Sequence, residues 1–246
     1  MIKKITNIKK VISLANDSWE EAKSRKITSI NAKISDVNQF IDQFDREFTY
    51  FCTTSYLGLE FNPKIIAGAI NGINSAKILR IPNSRNRCKL SLLAQYEDSL
   101  SDLFNCHALT TLSCSAASAG ILPIISSGAF TDGIPPIVVY DKFAHYSMNH
   151  IKPSCAAETE VLTAPHNDMN FLEDICKKHD TVAYVADGAY SMGGLSKVED
   201  LLYLQGKYNL FLYLDDSHSL SILGTNGCGY ARSHINKLND KTIEFS

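Results

Sequence analysis

The chain has 246 residues, a formal charge of -2, 45% hydrophobic residues and 20% charged residues. These values are typical of a globular protein with a sizeable core, and the near-neutral charge gives no electrostatic signature of nucleic-acid or acidic-membrane binding. No apolar run reaches the length of a membrane span, and "MIKKITNIKKV" lacks the apolar core of a secretory signal. The seven cysteines are widely spaced without any C-x-x-C pair, which favours reduced thiols and a cytoplasmic location.

The first fifty residues are predicted to form a helical arm, residues 1–50. Apolar side chains recur there at helical intervals up to Ala22, and again from Val37 to Phe48. The remaining residues, 51–246, are assigned to one large domain.

In this large domain, strand and helix signals alternate along the chain. The predicted strands are 50–59, with a turn at Gly58, then 108–114, 136–141, 159–164, 181–187 and 209–215. The predicted helices are 90–104, 116–128, 166–179, capped by Asn167 or Asp168, and 196–208, opened by a capping box of Ser196 and Glu199. Such alternation predicts an α/β fold with a mostly parallel sheet.

Three apolar strands of this predicted sheet end in an acidic residue. These residues are Asp141, Asp187 and Asp215, and they are followed within four positions by His145, Ser191 and His218 respectively. Ligands of open α/β sheets bind beyond the carboxyl ends of the strands. The sequence therefore predicts one common site at this edge.

Metal, nucleotide and hydrolase sites fit the sequence less well. Asp215 and Asp216 are adjacent, so an extended backbone points them to opposite faces and only one could bind a metal. The run "GTNGCG", 224–229, does not follow the G-x-G-x-x-G pattern, and neither a Walker A run nor a G-x-S-x-G elbow occurs.

Pyridoxal phosphate suits these residues better. A carboxylate such as Asp215 can keep its ring nitrogen protonated, His218 can bond the phenolic oxygen, and His145 can stack on the ring. The small-residue turn Ser113–Ser118 enters a helix, whose N-terminus can bind the phosphate.

Short motifs in family order strengthen this interpretation. They are "SYLGL" (55–59), "SR" (84–85), "YEDSL" (96–100), "DKFAHYS" (141–147), "HNDM" (166–169), "DGAYSMGG" (187–194) and "LDDSHSLSILGTNGCG" (214–229). Through them the chain resembles the α-oxoamine synthase family, fold-type I pyridoxal-phosphate enzymes that include 8-amino-7-oxononanoate synthase, 2-amino-3-ketobutyrate CoA ligase and the autoinducer synthases.

The resemblance implies an aspartate-aminotransferase-like large domain, pyridoxal 5′-phosphate as cofactor, and a homodimer. It implies the decarboxylative condensation of an amino acid with an acyl-CoA or similar thioester. It assigns catalytic and cofactor-binding roles to His145, stacked on the ring, to Asp215 at the ring nitrogen and to His218 at the phenolic oxygen. It adds Ser191 near that oxygen, and the N–H groups of Ser115 and Ala116 at the phosphate.

The chain departs from the family at its C-terminus. Relatives bind the cofactor through a lysine expected about 5–10 residues beyond Ser246, and Lys237 and Lys241 come too early. We therefore expect a large domain that is C-terminally truncated and leaves an open sheet edge after residue 241. Two alternatives remain: a catalytically dead remnant that binds the cofactor weakly or only pairs with a relative, and another fold-type I chemistry such as that of an aminotransferase.

Overall fold

The computed structural model describes residues 8–51, 53–81 and 84–246, which fall into two compact units, Met1–Lys89 and Leu90–Ser246. The division between these units falls between Lys89 and Leu90, and the domain boundary predicted between residues 50 and 51 stays a prediction. No helix in the described part of the chain is long and apolar enough to cross a bilayer.

The first unit combines helices with a small antiparallel sheet. Its elements are α1 (Ile8–Ser24), β1 (Ala32–Asp36), β2 (Gln39–Asp42), β3 (Glu47–Thr49) and α2 (Pro63–Ala76). Within the described residues the predicted helix is present over Ile8–Ser24, whereas the sheet replaces the helix expected over 37–48. The part of the predicted arm over residues 1–7 lies outside the described residues. The strand predicted over 50–59 is also wrong for residues 53–58, whereas Gly58, with φ 61°, forms the predicted turn.

Cross-strand pairing explains why the helical periodicity of 37–48 is misleading. Phe40 of β2 lies opposite Phe48 of β3, and their rings stack with centroids 5.9 Å apart. Between them, the Asp42 carboxylate accepts hydrogen bonds from the backbone N–H groups of Phe44 and Arg46. Asp45, with φ 59°, completes the turn. Aromatic residues eight positions apart are therefore compatible with a β-hairpin as well as with one face of a helix.

The second unit is built on a parallel sheet whose strand order is β10-β9-β6-β4-β5. Its strands are β4 (Ile137–Asp141), β5 (Val161–Ala164), β6 (Val182–Asp187), β9 (Leu210–Asp215) and β10 (Thr242–Phe245), with a small hairpin of β7 (Ala189–Tyr190) and β8 (Gly194–Leu195). Its helices are α3 (Ser91–Phe104), α4 (Cys114–Ser126), α5 (Tyr146–Asn149), α6 (Lys152–Glu158), α7 (Met169–Lys178), α8 (Val198–Lys207) and α9 (Tyr230–Ser233). The predicted parallel α/β sheet is confirmed.

Side chains alternate between the two faces of this sheet and form two cores. One core contains Val139, Tyr184 and Leu212, and the other contains Val138 and Tyr213. Strands covered on both faces are apolar throughout, which is why the sequence shows continuous runs. Burial of both faces fixes the register and aligns the carboxyl ends of the strands at one edge.

Three local predictions in this unit are wrong. The strand expected over 108–114 does not form, because residues 108–113 have no regular secondary structure and α4 begins at Cys114. The sheet does not stop at residue 241, because β10 pairs in parallel with β9 and places Phe245 opposite Asp215. The capping box at Ser196 is absent: α8 begins at Val198, and the Ser196 hydroxyl has no hydrogen-bond partner. The segment "TIEFS" is less apolar than the other strands, but its backbone pairing with β9 makes it the strand β10.

The N-cap of α7 gives a test of the fold. The Asp168 carboxylate accepts a hydrogen bond from the Phe171 N–H at 3.0 Å. We expect Asp168→Ala to lower the free energy of unfolding by about 1 kcal/mol, because one N–H of the first turn loses its acceptor. Urea unfolding followed by circular dichroism measures this, with Asp168→Asn as the control that keeps a capping oxygen. Equal stability of the alanine and asparagine variants would contradict the assignment.

Candidate cofactor site

The start of α4 lies against the loop that follows β9. The Cys114 Sγ is 3.2 Å from the Ser217 Oγ, although the two residues are 103 positions apart. At this helix N-terminus the Ser113 hydroxyl accepts the N–H of Ala116 at 3.1 Å, so one of the two predicted phosphate donors already has a partner. The N–H groups of Cys114 and Ser115 precede the first intrahelical bond and point out of the helix end. They carry the positive end of the helix dipole and can bind an anion.

Asp215 lies at the tip of β9 and is 2% exposed. Its Oδ1 accepts a hydrogen bond from the Ser217 N–H at 2.9 Å, and its Oδ2 accepts one from the Ser147 hydroxyl at 3.3 Å. Both are neutral donors, so no cation among these contacts compensates the carboxylate. A buried carboxylate with this environment is suited to bind a cationic ring nitrogen.

His145 presents an exposed ring beside this carboxylate. Its backbone N–H donates to Asp187 Oδ2 at 2.9 Å, and its Nδ1 lies 3.0 Å from the Ser147 Oγ. The ring centroid is 6.0 Å from that of His218, and the two ring planes are almost perpendicular. The structure therefore brings together three of the predicted residues, His145, Asp215 and His218.

Ser191 lies in the exposed turn between β7 and β8. Nothing in the described contacts joins it to His145 or Asp215, so its assigned role stays a prediction. The turn itself is anchored from the opposite side, because His166 Nε2 lies 2.9 Å from the carbonyl oxygen of Gly193. Asn167 Nδ2 donates to the carbonyl oxygen of Leu195 at 3.0 Å.

Asp141 organises a hydrogen-bond network that sequence reasoning missed. The carboxylate accepts the N–H groups of Phe143 and Asn167 and the hydroxyl of Tyr184, and it pairs with His166 Nδ1 at 2.9 Å. The sequence predicted His166 to be a helix-entry residue, whereas its ring joins Asp141 to the β7–β8 turn. Only its position directly after a strand could have indicated this role.

Asp216 points to the other face of the sheet, as predicted. Its carboxylate accepts the N–H groups of Ala231 and Arg232 at the start of α9 and the hydroxyl of Ser219. Gly188 and Gly229 pack so tightly against it that a Cβ at either position would collide with its oxygens. Asp216 is thus a structural residue.

Burial raises the pKa values of three carboxyl groups in this region, including Asp216, for which hydrogen bonds from Arg232 and Ala231 oppose the increase. Burial raises the pKa of Asp187 to about 8, and the negative charge of Asp215 adds to the effect. Burial also raises the pKa of Glu244 to about 8, and neighbouring Asp216 reinforces it while Arg232 opposes it. A pKa of about 8 means that the Asp187 carboxyl group is mainly protonated at neutral pH.

The two lysines considered for a covalent bond lie at the wrong end of the sheet. The carbonyl of Lys241 accepts the N–H of Leu212, near the amino end of β9, and Lys237 comes four residues earlier. Asp215 pairs instead with Phe245, four residues beyond Lys241, which is roughly 13 Å along an extended strand. This placement agrees with the prediction that neither lysine binds the cofactor.

The donor set fits pyridoxal phosphate. A helix N-terminus for an anion, a buried carboxylate and an exposed imidazole converge at one sheet edge, as a ligand with a phosphate, a basic ring nitrogen and a flat face requires. Groups of three or more His, Cys, Asp or Glu side chains arranged to hold a metal ion do not occur in the described ranges.

Comparison with known proteins finds similarity in sequence and in fold. The chain is 27% identical over 191 residues to 8-amino-7-oxononanoate synthase of Geobacter sulfurreducens, covering 76% of this chain and 47% of that protein. It is 25% identical over 198 residues to 5-aminolevulinate synthase of Rickettsia bellii, with shares of 76% and 45%. Serine palmitoyltransferase of Sphingomonas wittichii superposes with a TM-score of 0.72 and 17% identity, covering 90% of this chain and 56% of that one.

These similarities support the resemblance of the chain to the α-oxoamine synthases, a family of fold-type I pyridoxal-phosphate enzymes. It spans about half the length of the curated relatives that it matches. No protein-family model matches the chain. The order of its motifs and the parallel sheet nevertheless agree with this resemblance.

Glu244 gives a pH-dependent test of the face opposite to the candidate site. Its pKa is raised from 4.5 to about 8, so the folded state binds a proton that the unfolded state releases above pH 4.5. The stabilisation is complete below pH 4.5 and is lost as the pH rises towards 8, with a limiting slope of about 1.4 kcal/mol per pH unit.

We expect Glu244→Gln to reduce this slope and to raise the unfolding free energy at pH 8, because the amide has no charge to bury. Urea unfolding at pH 5, 6.5 and 8 measures the difference, and the exposed Glu158→Gln serves as the matched control. A Glu244→Gln slope identical to that of the wild-type chain would refute the assignment.

Proposed function

We propose that this chain binds pyridoxal 5′-phosphate between the start of α4 and the tip of β9. The proposal extends to the chemistry of its relatives, the decarboxylative condensation of an amino acid with an acyl thioester. The observation that carries it is the convergence of His145, Asp215 and His218 beside a helix N-terminus. A homodimer is part of the proposal, and light scattering of the purified chain measures it.

Each residue then has a defined task at the bound cofactor. The N–H groups at the start of α4, including that of Ser115, hold the phosphate. The N–H of Ala116 is at the same helix end but already donates to the Ser113 hydroxyl. Asp215 holds a proton on the ring nitrogen, and that protonated ring is the electron sink that the cofactor supplies when bound. His145 covers one face of the ring and excludes water from it. His218 and Ser191 donate to the phenolic oxygen.

Asp187 supports this arrangement through a hydrogen bond to the backbone of His145. Its Oδ2 accepts the backbone N–H of His145, and burial raises its pKa to about 8, so it is mainly neutral near pH 7. A neutral carboxyl group also keeps one oxygen as an acceptor for the His145 N–H.

A second function, cofactor binding without catalysis, is favoured by the position of the lysines. Lys237 and Lys241 lie at the amino end of the sheet, away from Asp215, so neither is placed to transfer a proton at the site. The two candidates differ in one measurement, the release of carbon dioxide from an amino acid when an acyl thioester is added. Binding without thioester-dependent release supports the second function.

Asp215 and Asp216 provide a matched pair for testing the site. We expect Asp215→Asn to weaken binding of pyridoxal 5′-phosphate by about 10- to 100-fold, because a charge-assisted hydrogen bond is lost. Asp216→Asn should leave the affinity within about threefold while lowering stability, because its partners belong to α9 and the following loop.

Absorbance titration of the folded variants measures both affinities, and circular dichroism confirms that each variant is folded. Equal affinities of the two asparagine variants would remove Asp215 from its role. A wild-type chain that binds no cofactor at millimolar concentration would refute the proposed function itself.

Borohydride reduction gives an independent test of how the cofactor is held. We expect no stoichiometric pyridoxyl label on any lysine of this chain, since a label requires a covalent bond to a lysine at the site. Peptide mass mapping of the reduced complex measures the label. A single, fully labelled Lys237 or Lys241 would show that the binding site lies elsewhere than at Asp215.

A further inference from the structure

The buried hydroxyl of Ser147 contacts both His145 and Asp215, which have different roles in the proposed site. Ser147, in α5, is 3% exposed, and its Oγ lies 3.0 Å from His145 Nδ1 and 3.3 Å from Asp215 Oδ2. His145 precedes it by two residues, whereas Asp215 is 68 positions away on β9. The Ser147 hydroxyl therefore bridges an exposed imidazole and a buried carboxylate from two separate elements.

Proton counting defines what this hydroxyl does. The Ser147 backbone N–H points at His145 Nδ1 at 3.2 Å, and a backbone N–H can only donate, so Nδ1 acts as an acceptor. The ring proton of a neutral His145 must then be on Nε2. The Ser147 hydroxyl has one proton, and both of its neighbours, Nδ1 and the Asp215 carboxylate, accept it. Because it has one proton, the hydroxyl donates either to Asp215 Oδ2 or to Nδ1 at any one time.

We propose that Ser147 is a positioning residue that holds the His145 ring in its Nε2–H form and ties it to the Asp215 carboxylate. The Nδ1 edge is occupied by the chain itself, so the ring offers Nε2–H and its face to a bound group. Asp187 fixes the same residue through the His145 backbone N–H. Backbone and ring of His145 are thus held by different partners, and Ser147 links the ring to Asp215.

The following consequence for cofactor binding rests on the proposed function. A ring that is fixed before the cofactor arrives loses no orientational freedom on binding. Removal of the Ser147 hydroxyl should therefore weaken binding without changing the fold, since alanine also suits the first turns of a helix. The loss should be about 3- to 10-fold, the value of one neutral hydrogen bond.

The first test uses the chain without cofactor. Nitrogen-15 NMR of histidine-labelled protein distinguishes the two neutral forms of the ring, and the His145→Asn variant assigns the signal. We expect His145 of the wild-type chain to be mainly in the Nε2–H form and Ser147→Ala to shift it towards a mixture. Ser147→Thr, which keeps the hydroxyl, should restore the wild-type signal. Ser154→Ala, an exposed serine of α6, is the matched control.

The second test measures the affinity for pyridoxal 5′-phosphate in the same variants. We expect weaker binding for Ser147→Ala, recovery for Ser147→Thr and no change for Ser154→Ala. A His145 signal in the Nδ1–H form, or one that Ser147→Ala leaves unchanged, would overturn the inference. Failure of the wild-type chain to bind the cofactor would instead refute the proposed function, and the NMR result on the cofactor-free chain would still decide the role of Ser147.

Discussion

Burial of carboxylates at one edge of a parallel sheet is the constraint on which the rest of this structure depends. Asp141, Asp187, Asp215 and Asp216 are each at most 2% exposed. An ionised carboxylate out of water is stable only if hydrogen-bond donors surround it, and a neighbouring carboxylate makes its ionisation still less favourable. The loops at this edge therefore fold so that their N–H and O–H groups reach these four side chains, and the site geometry follows from that requirement.

The four carboxyl groups meet the constraint in different ways, and the differences assign their roles. Asp141 and Asp216 are saturated by backbone N–H groups and hydroxyls, so each fixes the loops around it and has little capacity left for a ligand. Asp187 is favoured in its neutral form. Asp215 has two neutral donors and no cation among its described contacts. It is therefore the carboxylate best prepared to accept a positive group from outside the chain.

The sequence predicted the parts of the structure that depend on local pattern and failed where distant pairing decides. Continuous apolar runs ending in Asp141, Asp187 and Asp215 correctly located three strands and the edge at which His145 and His218 meet. The hairpins after Ser24 and the strand ending at Phe245 depend on partners elsewhere in the chain, and their periodicity or composition is ambiguous. The roles of Ser147 and His166 were missed because hydrogen bonds across 68 and 25 positions leave no local signal.

The alternation of side chains along β9 separates function from stability within two adjacent residues. Asp215 faces Ser147 and the α4 end of the site, whereas Asp216 faces α9 and Glu244. A period of two in a strand makes this separation unavoidable, since neighbouring side chains leave on opposite faces. A shift of β9 by one residue would exchange the environments of Asp215 and Asp216. The donors that now surround Asp216 would then surround Asp215. The tight packing of Gly188 and Gly229 against Asp216 opposes that shift. The structural carboxylate thus holds the candidate functional one in place.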